Sequence, residues 1–301
     1  DSCYLVYMGS AQQTVTAPDG SIVSANIANA NLEMPNTLDM NGKELILDAD
    51  GDTSITADTD DQVDVKIAGT DNTHIIATGV GMGVVPTTSY GKVFQVHDTG
   101  TSGANLRLTD STSGSGTGNG FELIQIGVND YIINRETGFI SLYTSGTEAM
   151  KIDANGHITK PLQSAFSVRS DTNNTNFALN TTHTVTFSTE IFDQNADFAS
   201  NTFTAPVTGR YQLSATFYFE DVASSADYLQ ANLVTSNRTY YAITDPTGYD
   251  TTVTYHTYTI SVLADMDAND TATMSYRQPS GGDQQIDLNG SHTYFTGFLA
   301  C

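Results

Sequence analysis

The stretch Val207-Thr208-Gly209-Arg210-Tyr211-Gln212-Leu213-Ser214-Ala215-Thr216-Phe217-Tyr218-Phe219 sets Tyr211, Leu213, Ala215, Phe217 and Phe219 at alternate positions. A period of two puts those side chains on one side of an extended segment and Gln212, Ser214 and Thr216 on the other, which predicts a long, half-buried β-strand. Val253–Leu263 and Thr271–Arg277 alternate in the same way, and the chain closes on Tyr294–Ala300. About eight to ten such strands within residues 162–301 predict a sandwich with its own core.

Upstream the pattern thins. Over residues 41–86, short apolar clusters (Leu45-Ile46-Leu47, Ile55, Val63/Val65/Ile67, Ile75-Ile76) alternate with turns at Asp48–Asp52, Asp58–Asp61 and Gly69–Asn72. Val63-Asp64-Val65-Lys66-Ile67 predicts one buried and one wet face. So few apolar side chains cannot offset about 1–2 kcal/mol of backbone entropy per residue, so one copy is not expected to fold alone. Identical chains wound about a common axis would pool their strips into a shared core. Residues 87–161 continue as a β-rich shaft or knob, with strands expected at Val93–Val96, Leu106–Leu108, Phe121–Val128, Tyr131–Ile133, Phe139–Tyr143 and Met150–Ile152. Ser111–Gly120 reads as a loop. Residues 1–40 read as a connector or the end of an upstream domain. Asp1 in place of an initiator Met, followed by the apolar run Tyr4–Tyr7, points to a fragment or processed chain.

Composition narrows the function. The chain has 301 residues, 34 Asp+Glu against 11 Lys+Arg and a net charge of −23. Phosphate backbones and anionic lipid are both bound through Lys and Arg, so nucleic-acid and membrane-surface partners are disfavoured. No apolar run approaches the roughly 18 residues of a membrane span. The acids are 27 Asp and only 7 Glu, and 25 Gly accompany 15 Tyr and 13 Phe with no Trp. That is the composition of turns and strand faces, and the fold class expected is all-β. Cys3 and Cys301 stand at opposite ends and are expected to be reduced thiols, an interchain bridge being the alternative.

Residues 162–301 resemble the C1q/TNF-like jelly roll. Phe166-Ser167-Val168-Arg169 matches its opening strand, Val185-Thr186-Phe187 and Phe203-Thr204-Ala205-Pro206-Val207-Thr208-Gly209-Arg210-Tyr211 its signature, and Phe295-Thr296-Gly297-Phe298-Leu299 its closing strand. The N-terminal half is similar to the shafts of bacteriophage tail fibres, through residues 47–69 and through Gly146–Ile158, where Lys151 stands in place of the more usual Arg. Together the resemblances imply an elongated homotrimeric fibre with a repetitive β-rich shaft and a C1q-like tip. They imply both tip termini at the base and ligand-facing loops at the apex; the number three comes from the resemblance.

No Gly-x-Ser-x-Gly elbow, P-loop or HExxH spacing occurs, and the chain is read as non-enzymatic. With so many Asp, any carboxylate pair could be proposed for glycan cleavage, and the sequence supports none. Asp48-x-Asp50-Gly51-Asp52 offers oxygen ligands at alternate positions but lacks the rest of an EF-hand and reads as a turn cap. Asp265, Asp267 and Asp270 are the candidate metal residues, for Ca²⁺ at a trimer apex, no other cofactor being expected. By the strand mapping, the apical loops are Asp171–Thr182, Ser236–Thr239, Asp265–Asp270 and Asp287–His292. Asn237, Arg238, Tyr240, Asn289 and His292 are the receptor-binding candidates, through hydrogen bonds and ring stacking.

The expectation is a virion tail fibre assembled in the host cytoplasm, with two further copies of itself, an upstream tail or baseplate protein and a host cell-surface glycan or protein as partners. Two alternatives stay open: a structural fibre such as a head fibre or collar whisker, without receptor, and a secreted bacterial C1q-like adhesin.

Overall fold

The computed structural model describes residues 40–175, 177–280 and 287–301; the expected connector up to Asp39, with Cys3, lies outside them. Regular structure among the described residues is β-strand, with two short 3₁₀ turns at Pro246–Gly248 and Gly290–His292, so the expected all-β class holds. No helix of the described residues is long and apolar enough to cross a membrane. The chain divides into two compact units. The first holds the described residues up to Leu108 with Glu122–Ile133, and the second Thr109–Phe121 with Asn134–Cys301.

In the first unit, β1 (Leu45–Ile46), β2 (Ser54–Thr56), β3 (Gln62–Ile67), β4 (Thr70–Ile76), β5 (Gly79–Met82) and β6 (Val93–Val96) follow one another in a six-stranded sheet. The β3–β4 turn falls at Ala68 and Gly69, both with positive φ, a two-residue reversal that suits the twist of a hairpin. Thr70–Asn72, expected to belong to that turn, lie within β4. The last pairing is parallel, Gly79 to Val93 through Met82 to Val96. Then β7 (Ala104–Leu108), β8 (Phe121–Ile126) and β9 (Asn129–Asn134) form a three-stranded sheet.

The register of the six-stranded sheet sorts its side chains by chemistry. Leu45 lies opposite Ile55 and Ile55 opposite Val65, while Val63, Ile75, Val80 and Phe94 line up across four strands. These positions make one largely apolar face, with Thr73 between Val65 and Met82 as a polar member. The other face carries Ser54, Thr56, Asp64 and His74. The expected burial of Val63-Asp64-Val65-Lys66-Ile67 is inverted: Val63 is 39% and Ile67 51% exposed, while Asp64 is 2% exposed. Ile75 at 45% and Phe94 at 56% belong to the same open face. Among the described residues, nothing covers these side chains fully in the single chain.

In the second unit, β10 (Ile140–Thr144), β11 (Thr147–Ile152) and β12 (Ile158–Thr159) form an antiparallel sheet, turned at Ser145 and Gly146. The sandwich follows with β13 (Ala165–Arg169), β14 (Thr181–Thr184), β15 (Thr189–Gln194), β16 (Phe198–Ala199), β17 (Thr202–Thr204), β18 (Gly209–Val222), β19 (Leu229–Thr235), β20 (Thr239–Thr244), β21 (Val253–Met266), β22 (Thr271–Gln278), β23 (Asp287–Leu288) and β24 (Tyr294–Leu299). One sheet runs β15-β13-β24-β18-β21 and the other β16-β17-β22-β19-β20, with β14 also on β22.

Leaving aside β14, β15, β16 and β23, the chain order of the remaining strands pairs first with last (β13·β24), second with second-last (β17·β22), then β18·β21 and β19·β20. A long hairpin makes those pairings, and folding it over on itself adds β18·β24 and β19·β22; this is a jelly roll. Its core is aromatic. The Phe166 ring stacks 4.7 Å from Phe203 and meets Phe295 edge-on at 5.0 Å, and the alternating row Tyr211, Leu213, Ala215, Phe217 and Phe219 is fully buried. Burial of each such aromatic contributes roughly 2–3 kcal/mol, so this half of the chain carries a core of its own.

Candidate functional site

Strand direction decides which loops share an end of the sandwich. Gly209, at the start of β18, lies opposite Met266, and Arg210 N donates to the carbonyl of Cys301 at 2.7 Å. At the other end of β18, Phe219 lies opposite Leu288. Thr235 pairs with Ala272 and Ser236 N donates to Thr271 O, so the loops 236–239 and 265–270 sit at the end that carries the C-terminal residue. The loops 171–182 and 287–292 sit at the far end, roughly 30 Å away at about 3.3 Å per strand residue. The four loops expected together at one apex are therefore split two and two. The sequence mapping went wrong because loops of similar composition carry no mark of which way their strands run.

At the C-terminal end, Asn237 Nδ2 donates to Asp270 Oδ2 at 2.9 Å and to Asp265 O at 3.0 Å, and Arg238 pairs with Asp265 at 3.1 Å. Asp270 Oδ2 also accepts from the Asp267 backbone N–H at 2.9 Å. Two of the candidate receptor residues and two of the three candidate metal residues thus bind one another, and the contacts clamp the β19–β20 turn to the β21–β22 turn. Among the described residues, the acidic or His/Cys group whose ligand atoms converge within 4.8 Å is Asp48, Asp50 and Asp52. There Asp48 Oδ1 accepts from the backbone N–H groups of Gly51 and Thr53, and hydrogen bonds from Thr53, the largest influence, hold its carboxyl below the ordinary value. This is a capped turn.

At the far end, Asn289 caps the 3₁₀ turn Gly290–His292 by accepting from Ser291 N at 3.1 Å, and its amide donates to Glu220 at 3.0 Å. The His292 ring lies 4.9 Å from Tyr218, which lies 5.8 Å from Tyr255. Desolvation, with the charge of Glu220 and the neighbouring Tyr255 adding to it, pushes the Tyr218 hydroxyl above its ordinary value. Asn289 and His292 are thus brought together, with Tyr218, Tyr255 and Glu220 beside them. Those three belong to the faces of β18 and β21, and loop composition carries no signal of them.

Tyr240, the remaining receptor candidate, leans on the hydrophobic core. Its neighbour Tyr241 points the other way and is 65% exposed. Two adjacent tyrosines on a strand must part company, and only the register says which goes in.

No protein-family model matches the sequence, and no curated protein matches it. Among solved structures, the globular domain of the zebrafish complement 1qA protein is 17% identical over 46% of this chain and 98% of its own, with a TM-score of 0.36. A crystal structure of murine APRIL at pH 8.0 is 12% identical over 46% of this chain and 98% of its own, with a TM-score of 0.34. At those values the jelly roll stands on its strand pairing.

Proposed function

We propose that the chain is a non-enzymatic fibre protein of a bacteriophage tail, a homotrimer whose residues 41–161 form a shaft and whose jelly roll contacts a receptor on the host cell surface. The observation that carries the reading is the open apolar face of β1–β6. Burying apolar surface is worth about 25 cal/mol per Å², and a face of Leu45, Ile55, Val63, Ile75 and Phe94 left in water forfeits it. Exposed apolar faces of this kind mark association sites. Identical copies supply an identical face, free of charge repulsion because no ionisable side chain interrupts it.

The motifs at 47–69 and 146–158 support the phage assignment, and an upstream tail or baseplate protein is the proposed anchor. Several weak jelly-roll contacts on one fibre would add by effective concentration to firm attachment. The surface that makes those contacts is taken up below.

Native mass measurement tests the assembly. One chain weighs 32.2 kDa, and the expected species is three times that mass, persisting on dilution. A monodisperse 32.2 kDa protein with the same secondary structure overturns the reading.

A further inference from the structure

The outward side of the sheet β14-β22-β19-β20 holds two rows of side chains. Thr184, Ser275, Asn232 and Tyr241 lie side by side, and Thr182, Arg277, Gln230 and Ile243 form the next row. Neighbours across strands stand about 5 Å apart and the rows about 7 Å apart, so the patch measures roughly 14 by 7 Å.

Three properties separate it from an ordinary wet sheet face. First, its amides are wired together: Gln230 Nε2 donates to Asn232 Oδ1, and Asn232 Nδ2 donates to Ser275 Oγ at 3.2 Å. Asn232 and Ser275 are buried, at 6% exposure each, which fixes the ladder in place and leaves little entropy to lose on binding. Second, a tyrosine ring with two-thirds of its surface in water stands at the end of the row. Third, none of these positions is acidic, in a chain with 34 Asp and Glu, and the one charged member is Arg277. Arg277 donates to Asn180 Oδ1, and no carboxylate among the described residues pairs with it.

From this we infer that the outer face of β14-β22-β19-β20 binds an acidic saccharide. The ring of Tyr241 takes the apolar face of a sugar, the Gln230 amide, fixed by its bond to Asn232, exchanges hydrogen bonds with hydroxyls, and Arg277 meets the sugar carboxylate. A patch that long covers about two to three sugar rings. A neutral glycan would leave the arginine unused, and a protein partner would ask for more apolar area than Tyr241 and Ile243 offer. The inference rests on the adhesion reading above and names the surface that performs it.

The test uses the assembled full chain, its Tyr241→Ala and Arg277→Gln variants, an array of bacterial polysaccharides bearing uronic acids or only neutral sugars, and a panel of intact bacterial strains. Tyr241 and Asn180 are both exposed, so water takes the place of the contacts that each variant removes, and both should melt and assemble as the parent does. The expected result is retention on uronate-bearing glycans that falls at least about tenfold in each variant, the loss of one good polar contact. Equal retention by all three proteins, or retention on neutral glycans alone, overturns the inference. Strains captured equally by parent and variants also overturn it while leaving adhesion standing. Capture of no strain and no glycan overturns the adhesion reading with it.

Discussion

Asp64 Oδ1 lies 2.6 Å from Nδ1 of His74, directly across the β3–β4 pair, on the covered side of a sheet whose apolar side is open. Gln62 Nε2 donates to both oxygens of the same carboxylate, at 2.8 and 2.7 Å. The covered side of this sheet is held by hydrogen bonds, and the hydrophobic contribution is left for whatever meets the other side.

Removing one partner of that pair strands the other. Asp64→Ala should cost the sheet of residues 45–96 about 3 kcal/mol, as for other buried pairs broken from one side. Hydrogen exchange should report faster exchange of the β3 and β4 amides and unchanged protection in β18 and β21. Uniform protection in both places would show that the pair is dispensable.

A charge on the open face should act on assembly before it acts on folding. Ile75 is 45% exposed in the single chain, so Ile75→Lys has little to disturb there. In the proposed trimer it would bury an ammonium among apolar side chains, at a cost of several kcal/mol per copy. Sedimentation should find the variant dissociated, with the melt of the jelly roll retained.

Two glycines of the sandwich predict different outcomes. A Cβ on Gly290 would meet the backbone N and O of Thr172 at 2.3 and 2.6 Å, and backbone cannot step aside. On Gly297 it would meet Leu213 Cδ2 and Phe166 Cε1, each at 2.6 Å, which are side-chain atoms able to shift. Gly290→Ala should therefore destabilise by about 3 kcal/mol or more and free the turn at Asn289–Thr293. Gly297→Ala should cost roughly 1–2 kcal/mol by overpacking. Denaturant titration of the two variants gives the order directly.

Alkaline stability should be set by two tyrosines. Burial pushes the hydroxyls of Tyr258 and Tyr276 up to about 12. A pKa raised in the folded state means that its stabilisation is whole below the unfolded value near 10 and is lost as pH climbs through the folded one. The melting temperature should fall between pH 10 and about 12, and Tyr276→Phe should flatten that fall. The tyrosinate absorbance lost in the Tyr276→Phe variant, read as the difference from the parent, should appear only with unfolding; a difference already present at pH 10 in the folded protein would contradict it.

The long strands could be read directly because a period of two is a local property. Val93–Val96 was expected and is β6, and the alternation of Tyr211 to Phe219 places all five side chains in the core. β5 was not foreseen: Gly79-Val80-Gly81-Met82 has too few side chains to show a period, and its parallel partner lies beyond a connection that no local pattern announces. The candidate site was legible in part. Asn289 and His292 were picked from their loop, but Tyr218, Tyr255 and Tyr241 become surface only once the faces of β18, β21 and β20 are assigned.

The sequence by itself determined that the fold class is all-β, that its apolar residues come in alternating rows and that its acids fill turns, because propensity and periodicity act between near neighbours. Tertiary structure alone decided which end of the sandwich each loop reaches, which of Tyr240 and Tyr241 turns outward, and that Asp64 is covered while Val63 is open. Those outcomes depend on pairing between residues as far apart as Phe166 and Phe295, and a period of two reads the same whichever face the rest of the fold covers.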